Sequence, residues 1–217
     1  MRAFCSWSGG KDAALALHRA REAGVVVEHL VTTMVEDGTR SRSHGLRADV
    51  LRAQAAAVEV PITLVPTSWA DYEARFTAAV AELRAAGLTA GVFGDIDLDE
   101  HRAWVEGVCA PLGVTALEPL WQRPRAELLA ELFAAGFRAH VVAVRADLAD
   151  RLPPDLLGRP LDDDLVARLA AAGADPSGEL GEYHTVVAAG PVLAAPLPLR
   201  FGRVVERGGY RVVDVEV

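Results

Sequence analysis

The sequence predicts an α/β fold: a doubly wound, mostly parallel sheet with a smaller C-terminal α+β lobe. Three observations carry this. Short apolar runs alternate with amphipathic stretches along the first two thirds of the chain. A Gly-Gly turn follows the first run, where sheets of this kind place a ligand loop. Beyond about residue 145 the alternation stops, and Phe201–Val217 instead alternates about Gly208-Gly209, a two-residue hairpin pattern.

Each element follows from its local pattern. Ala3–Trp7 reads as the first buried strand and Ala14–Glu22 as the helix after it. Glu28–Met34, Ile62–Val65, Leu88–Phe93 and Ala139–Val144 are further apolar runs bounded by turn or polar residues, and they read as strands of the same sheet. Between them Tyr72, Phe76, Val80 and Leu83 share one helical face. So do Trp104, Val105, Val108 and Leu112, and then Leu128, Leu129, Leu132 and Phe133. Arg151–Pro160 is Pro-rich, Asp162–Ala172 reads as one short helix, Asp175–Tyr183 has no period, and Val186–Ala189 reads as a strand. No repeat or long linker intervenes, so residues 1–120 form the core and 121–217 a smaller substrate lobe ending in the hairpin, packed as one unit.

Composition narrows the function. Among 217 residues the acidic side chains number 30 and the basic ones 22, a net charge of −8. That argues against a broad basic surface and a nucleic-acid partner. A hydrophobic fraction of 51% excludes disorder. Val186–Leu199, the longest weakly polar stretch, is interrupted by Gly190, Pro191, Pro196 and Pro198, which removes a membrane partner from the expectations. With no targeting segment evident, a cytoplasmic protein with reduced cysteines is expected. Cys5 and Cys109 read as core residues, and His18, His29 and His140 as structural. Trp7, Trp69, Trp104 and Trp121 read as packing, with Trp7 and Trp121 best placed to line a cleft.

Ser6-Trp7-Ser8-Gly9-Gly10-Lys11-Asp12-Ala13 is the most informative segment. Two glycines let backbone approach an anion, successive N–H groups point to it, and Lys11 adds a full charge to the helix N-terminus. A Walker loop requires a glycine where Cys5 stands and a hydroxyl where Asp12 stands. Gly-x-Gly-x-x-Gly is absent from the turn as well. Taken alone, the segment also reads as a turn that caps a helix through Ser8 or Asp12. Ser8-Gly9-Gly10-Lys11-Asp12 instead resembles the pyrophosphate loop of N-type ATP pyrophosphatases, whose pattern Ser-Gly-Gly-x-Asp-Ser departs here only at Ala13. Loss of a hydroxyl donor to a charged oxygen costs about 1.5–3 kcal/mol.

Two further blocks narrow the resemblance. Gly94-Asp95-Ile96 ends the strand Leu88–Phe93 and is followed by His101-Arg102-Ala103-Trp104-Val105-Glu106, Cys109 and Pro119-Leu120-Trp121. Gly178-Glu179-Leu180-Gly181-Glu182-Tyr183-His184-Thr185 is similar to a C-terminal signature Gly-Glu-x-Gly-Glu-aromatic-x-Thr. Together with the loop, these resemble the diphthine–ammonia ligase family, over about Arg2 to Val187. His184 stands where established members carry an acidic residue, and His101-Arg102-Ala103-Trp104 where they tend to show Tyr-Gln-Arg. Both departures resemble the bacterial branch, so the ATP chemistry carries over better than the acceptor.

The resemblance implies an adenine nucleotide alpha hydrolase-like fold, and ATP and Mg²⁺ as cofactors. It implies an AMP- and pyrophosphate-forming ligase that adenylates an acceptor, a carboxylate by its chemistry, for amidation by ammonia. Lys11, Asp12, Asp95, Glu179, Glu182 and His184 are the catalytic expectations, with Asp12 and Asp95 also the metal ligands. Ser8, Gly9, Gly10, Lys11, Asp12, Thr33, Met34, His44 and Gly94 are expected at the nucleotide, and Gly181, Tyr183 and Thr185 at the substrate. Free ammonium is the simpler nitrogen donor, because Arg2 occupies the position an N-terminal cysteine glutaminase requires. The acceptor, a small molecule or a protein side chain, is left open. So is a homodimer, since small enzymes often associate. The alternatives are a nucleotide-binding sensor without turnover and a nucleotide hydrolase.

Overall fold

The computed structural model describes residues 1–217. Strands β1 (Arg2–Ser6), β2 (Val26–Met34), β3 (Ile62–Pro66), β4 (Ala90–Val92) and β5 (Thr115–Leu117) form a parallel sheet in the order β3-β2-β1-β4-β5. β1 lies at its centre, paired on one edge with β2 and on the other with β4. Its residues Ala3, Phe4 and Cys5 are wholly buried, as a strand covered on both faces requires. Helices α1 (Lys11–Glu22) and α2 (Ala48–Val58) cover one face; α3 (Tyr72–Ala85) and α4 (Asp99–Cys109) cover the other with Phe76, Val80, Val105 and Val108. The doubly wound expectation is borne out.

The remaining elements are α5 (Arg125–Ala134), β6 (Arg138–Arg145), α6 (Asp163–Ala171), β7 (Tyr183–Ala189), β8 (Arg200–Arg207) and β9 (Tyr210–Glu216). The four strands form an antiparallel sheet in the order β7-β6-β9-β8. Val141, Val142, Val186, Val187 and Val213 from it share one continuous apolar core with Ala14, Leu17, Val50 and Leu51 of α1 and α2. Gly208 and Gly209, at φ of 56° and 82°, make the expected hairpin turn, which needs positive φ at both positions. Asp162 caps α6, its side chain accepting the Leu165 N–H at 2.8 Å.

Two expectations are corrected. Ala139–Val144 is a strand, but of the antiparallel sheet: buried on both faces, it presents the unbroken apolar run typical of a parallel one. The fifth parallel strand is instead β5, three residues long and too short to give a pattern. Helix α1 begins at Lys11 rather than Ala14, which puts Lys11, Asp12 and Ala13 in its first turn. Cys5 and Cys109 are buried, and burial pushes their thiols up to about 12 and about 11, so neither is a ready nucleophile. No helix is long and apolar enough to cross a membrane.

Candidate active site

Beyond β1 the chain turns into α1 on one face of the sheet, and it enters β4 from α3 on the other. The crevice between the carboxyl ends of β1 and β4 is therefore the switch point at which such sheets bind ligands. The glycine loop leaves β1 there, and Gly94-Asp95 follows β4. A Cβ on Gly94 would sit 2.9 Å from the Ala13 nitrogen and the Asp12 carbonyl carbon, so only glycine lets the end of β4 approach the first turn of α1 this closely. Gly9 has a φ of 81°, and a Cβ there would lie 2.6 Å from the Gln54 Oε1.

The second sheet completes the loop. The Val187 N–H donates to the Gly9 carbonyl at 2.9 Å, and Thr185 Oγ1 accepts the Lys11 N–H at 3.1 Å. Ser8 Oγ accepts the Gly10 N–H at 3.2 Å. Because the 178–185 segment leads directly into β7, it comes to the same crevice.

All three motifs line one cavity of about 750 Å³, within the usual range for small-molecule sites. The loop contributes Ser8, Lys11 and Asp12; the end of β4 contributes Gly94 and Asp95; the last motif contributes Glu179, Gly181, Tyr183, His184 and Thr185; His44 closes one side. Gly9 and Gly10 form the buried backbone behind this wall. Thr33 lies off the main cavity, on an adjoining one of about 80 Å³ shared with Ser6, Ser8 and His44.

Two expected residues lie elsewhere. Met34 is wholly buried, and its carbonyl accepts the Thr67 hydroxyl at 3.0 Å. Glu182 does not line the cavity; its carboxylate oxygens accept the N–H groups of Asp175 at 3.3 Å and Leu180 at 3.1 Å, which holds the turn around Gly181. Both of its side-chain oxygens are thus engaged by backbone donors within the turn.

Charge within the cavity is divided. Lys11 donates to Asp12 Oδ2 at 2.7 Å and lies 3.9 Å from Glu179 Oε1. Burial opposes its charge, but Asp12, Tyr183 and Glu179 outweigh burial and hold the ammonium above its ordinary value. Burial, then Asp12, push the Glu179 carboxyl up to about 7, against the pull of Lys11 and Arg125. His44 and His184 lie against one another with ring centroids 4.5 Å apart and planes tilted by 38°. Burial and then Lys11 take His184 down to about 4; burial, His184 and Lys11 hold His44 well below the ordinary imidazole value. Both rings are neutral at pH 7, and His44 Nδ1 is buried without a partner.

Several side chains in the site were not expected. His101 lines the cavity, and its Nδ1 lies 3.2 Å from Asp95 Oδ1; that hydrogen bond raises the imidazole above its ordinary value, against burial. Arg125 bonds Asp97 at 2.7 Å and Asp175 at 2.6 Å, and Asp175 in turn accepts the Glu179 N–H at 3.1 Å. One guanidinium thus joins the segment after β4 to the Glu179 turn. Trp69 and Trp104, expected as packing, line the cavity with Tyr72, whereas Trp121 lies outside it with the Arg102 guanidinium 4.8 Å from its ring. Gln54 of α2 touches the loop from behind. Its signal in the sequence is one polar residue on the buried stripe Val50, Leu51, Gln54, Ala55 and Val58.

No group of three or more His, Cys, Asp or Glu side chains converges as a metal cage would require. Mg²⁺ takes one or two carboxylates together with phosphate oxygens. Asp12 and Asp95, both on the cavity wall, fit an ion carried in by phosphates.

Comparison with known proteins places this geometry in a family. Residues 1–116 match the diphthamide synthase N-terminal domain, and residues 125–205 match the diphthamide synthase C-terminal domain. The chain is similar to a diphthine–ammonia ligase of Bos taurus, 37% identical over 95 residues, covering 42% of this chain and 35% of that protein. A human diphthine–ammonia ligase is 36% identical over the same shares, and one from Schizosaccharomyces pombe is 30% identical over 54% of this chain and 19% of its own. The chain thus spans between 19% and 35% of these relatives' lengths. A solved structure, a predicted subunit of tRNA methyltransferase from Methanocaldococcus jannaschii, superposes with a TM-score of 0.47 at 14% identity, covering 88% of this chain and 98% of that one. Nothing about activity follows from so distant a likeness. The two domain matches, in order and over most of the sequence, decide the matter: this chain belongs to the diphthamide synthase family.

Proposed function

We propose that the chain is an ATP-dependent ligase that forms AMP and pyrophosphate, adenylating an acceptor carboxylate for amidation by ammonia. The observation that carries this reading is the meeting of the glycine loop, Asp95 and the Glu179 segment around one cavity at the switch point. The relatives' name, diphthine–ammonia ligase, supports the same reaction class.

A carboxylate does not react with ammonia at neutral pH, because its oxygen is a poor leaving group. In the first step a carboxylate oxygen bonds to the α phosphorus, and the bond from that phosphorus to the pyrophosphate oxygen breaks. The first turn of α1 and Lys11 stabilise the charge that pyrophosphate carries away. Asp12 and Asp95 would hold a Mg²⁺ ion brought in by the phosphates, and it would supply further neutralisation there. In the second step nitrogen bonds to the acyl carbon and AMP departs.

Ammonium must lose a proton before that attack. His184 was the sequence-based expectation for this role, but its burial makes it a weak base. His101, on the cavity wall and oriented by Asp95 through a 3.2 Å contact to its Nδ1, is the better-placed proton acceptor. Glu179, buried beside Lys11, holds the ammonium or the acceptor.

The test is product analysis with labelled ATP, Mg²⁺ and ammonium, with a diphthine-bearing protein and a panel of small carboxylates as acceptors. Acceptor-dependent AMP and pyrophosphate support the proposal; ADP and phosphate overturn it. A second reading, a nucleotide sensor, is favoured by Ala13, which lines the cavity where the pattern has a hydroxyl. Tight ATP binding without pyrophosphate release would establish that reading instead. AMP formed without any acceptor would establish a hydrolase.

A further inference from the structure

Gln54 is wholly buried, and its amide makes three hydrogen bonds that meet at the glycine loop. Its Oε1 accepts the Trp7 Nε1–H at 3.1 Å. Its Nε2 donates to the Gly9 carbonyl at 3.0 Å and to the Val187 carbonyl at 2.9 Å. The first bond reaches the residue that enters the loop from β1, the second the loop itself, and the third the strand β7. A buried amide costs several kcal/mol unless it is bonded, so a purely apolar residue would be the cheaper choice at this core position.

We infer that Gln54 is the positioning residue that sets the phosphate loop in its anion-binding conformation. The Gly9 carbonyl and the Gly10 N–H belong to one planar trans peptide, so they point in opposite directions. Gln54 and the Val187 N–H together pin that carbonyl inward, towards α2 and β7. The Gly10 N–H is thereby turned the other way, to the side of Ser8, whose hydroxyl it meets at 3.2 Å and which lines the cavity. Gly9, at a φ of 81°, lacks the steric restraint that would hold this peptide by itself. Gln54 supplies the restraint from outside the loop. With the peptide already set, the Gly10 N–H has only to exchange the Ser8 hydroxyl for a phosphate oxygen when a polyanion arrives.

This inference rests on the reading that the loop holds phosphates. Its test is calorimetry on the full chain with ATP, inorganic pyrophosphate and adenosine, for the wild type, Q54M and Q54E, with thermal unfolding of each. Q54E, which keeps an acceptor for Trp7 but loses the amide donors, serves should Q54M not fold. The expected result is at least tenfold weaker binding of ATP and pyrophosphate, with adenosine within twofold of wild type. ATP binding within twofold of wild type, or an equal loss for ATP and adenosine, overturns the inference and leaves Gln54 a structural residue. A wild type that binds adenosine but neither ATP nor pyrophosphate overturns the phosphate-loop reading itself, and this inference with it.

Discussion

Thr185 Oγ1 accepts the backbone N–H of Lys11 at 3.1 Å across a sequence separation of 174 residues. This bond ties the first residue of α1 to the antiparallel sheet, so the glycine loop is assembled from both ends of the chain. Thr185→Val removes the acceptor and keeps the shape. We expect it to lower stability by about 1–3 kcal/mol, the cost of a buried unsatisfied donor. Chemical denaturation checks this, and ATP, by supplying phosphate oxygens to that N–H, should recover part of the loss.

Lys11 is a buried cation among carboxylates in a cavity wall. Lys11→Met should weaken ATP binding by about 1.5–3 kcal/mol, the scale of a charge-assisted hydrogen bond. Titration calorimetry with ATP and with adenosine separates this loss from a general one, because adenosine binding should change little.

Gly94→Ala places a methyl group 2.9 Å from backbone atoms of Asp12 and Ala13, which cannot swing aside as a side chain would. Overpacking of this kind costs about 1–3 kcal/mol. Thermal unfolding should show the loss, and ATP affinity should fall with it, since the displaced atoms are the first turn of α1.

Glu179 gives the site a pH signature. Its carboxyl is raised in the folded state by burial and then Asp12, to about 7. The folded chain therefore holds a proton that the unfolded chain releases near pH 4.5, and stability contributed by this group is complete below that pH and declines as pH rises to about 7. Glu179→Gln should stabilise the protein at pH 8 and make little difference at pH 4. Melting temperatures of the two proteins across that range provide the check. An unchanged difference across the range would show that Glu179 is not buried as a carboxylate.

His184 has the opposite sign. Its imidazole is lowered to about 4 by burial and then Lys11, so the folded chain resists a proton that the unfolded chain accepts near 6.5. Stability linked to it is intact above 6.5 and is lost as pH falls from 6.5 towards 4. His184→Phe keeps an aromatic ring between His44 and Tyr210 and should flatten the acid side of the stability profile, as followed by denaturation at pH 5 and pH 7.

Residues whose roles depend on one local segment were legible in the sequence. β1 and the glycine loop announce themselves through an apolar run and a Gly-Gly pair, and Gly208-Gly209 announces its hairpin. What depends on the meeting of distant segments was not. Ala139–Val144 has the same apolar run in either sheet, and only the partners β7 and β9 reveal which one it joins. Helix α2 is rich in alanine, which blurs the contrast between its faces, and Gln54 on its buried stripe was overlooked with it. Glu179 and Glu182 stand three positions apart in the same turn, yet one faces the cavity and the other holds backbone N–H groups. No spacing rule in an aperiodic turn could separate them. Trp69, 78% exposed at the cavity rim, looks in sequence like any packing tryptophan.

The central claim is that the loop between β1 and α1 grips a triphosphate. A crystal structure of the full chain soaked with Mg²⁺ and a non-hydrolysable ATP analogue tests it most directly. The account predicts phosphate density against the backbone of Ser8 to Lys11, with the adenine towards Thr33 and His44 and the α phosphate open to Glu179 and His101. Phosphates bound elsewhere on the molecule, with that loop bare at millimolar nucleotide, would contradict it.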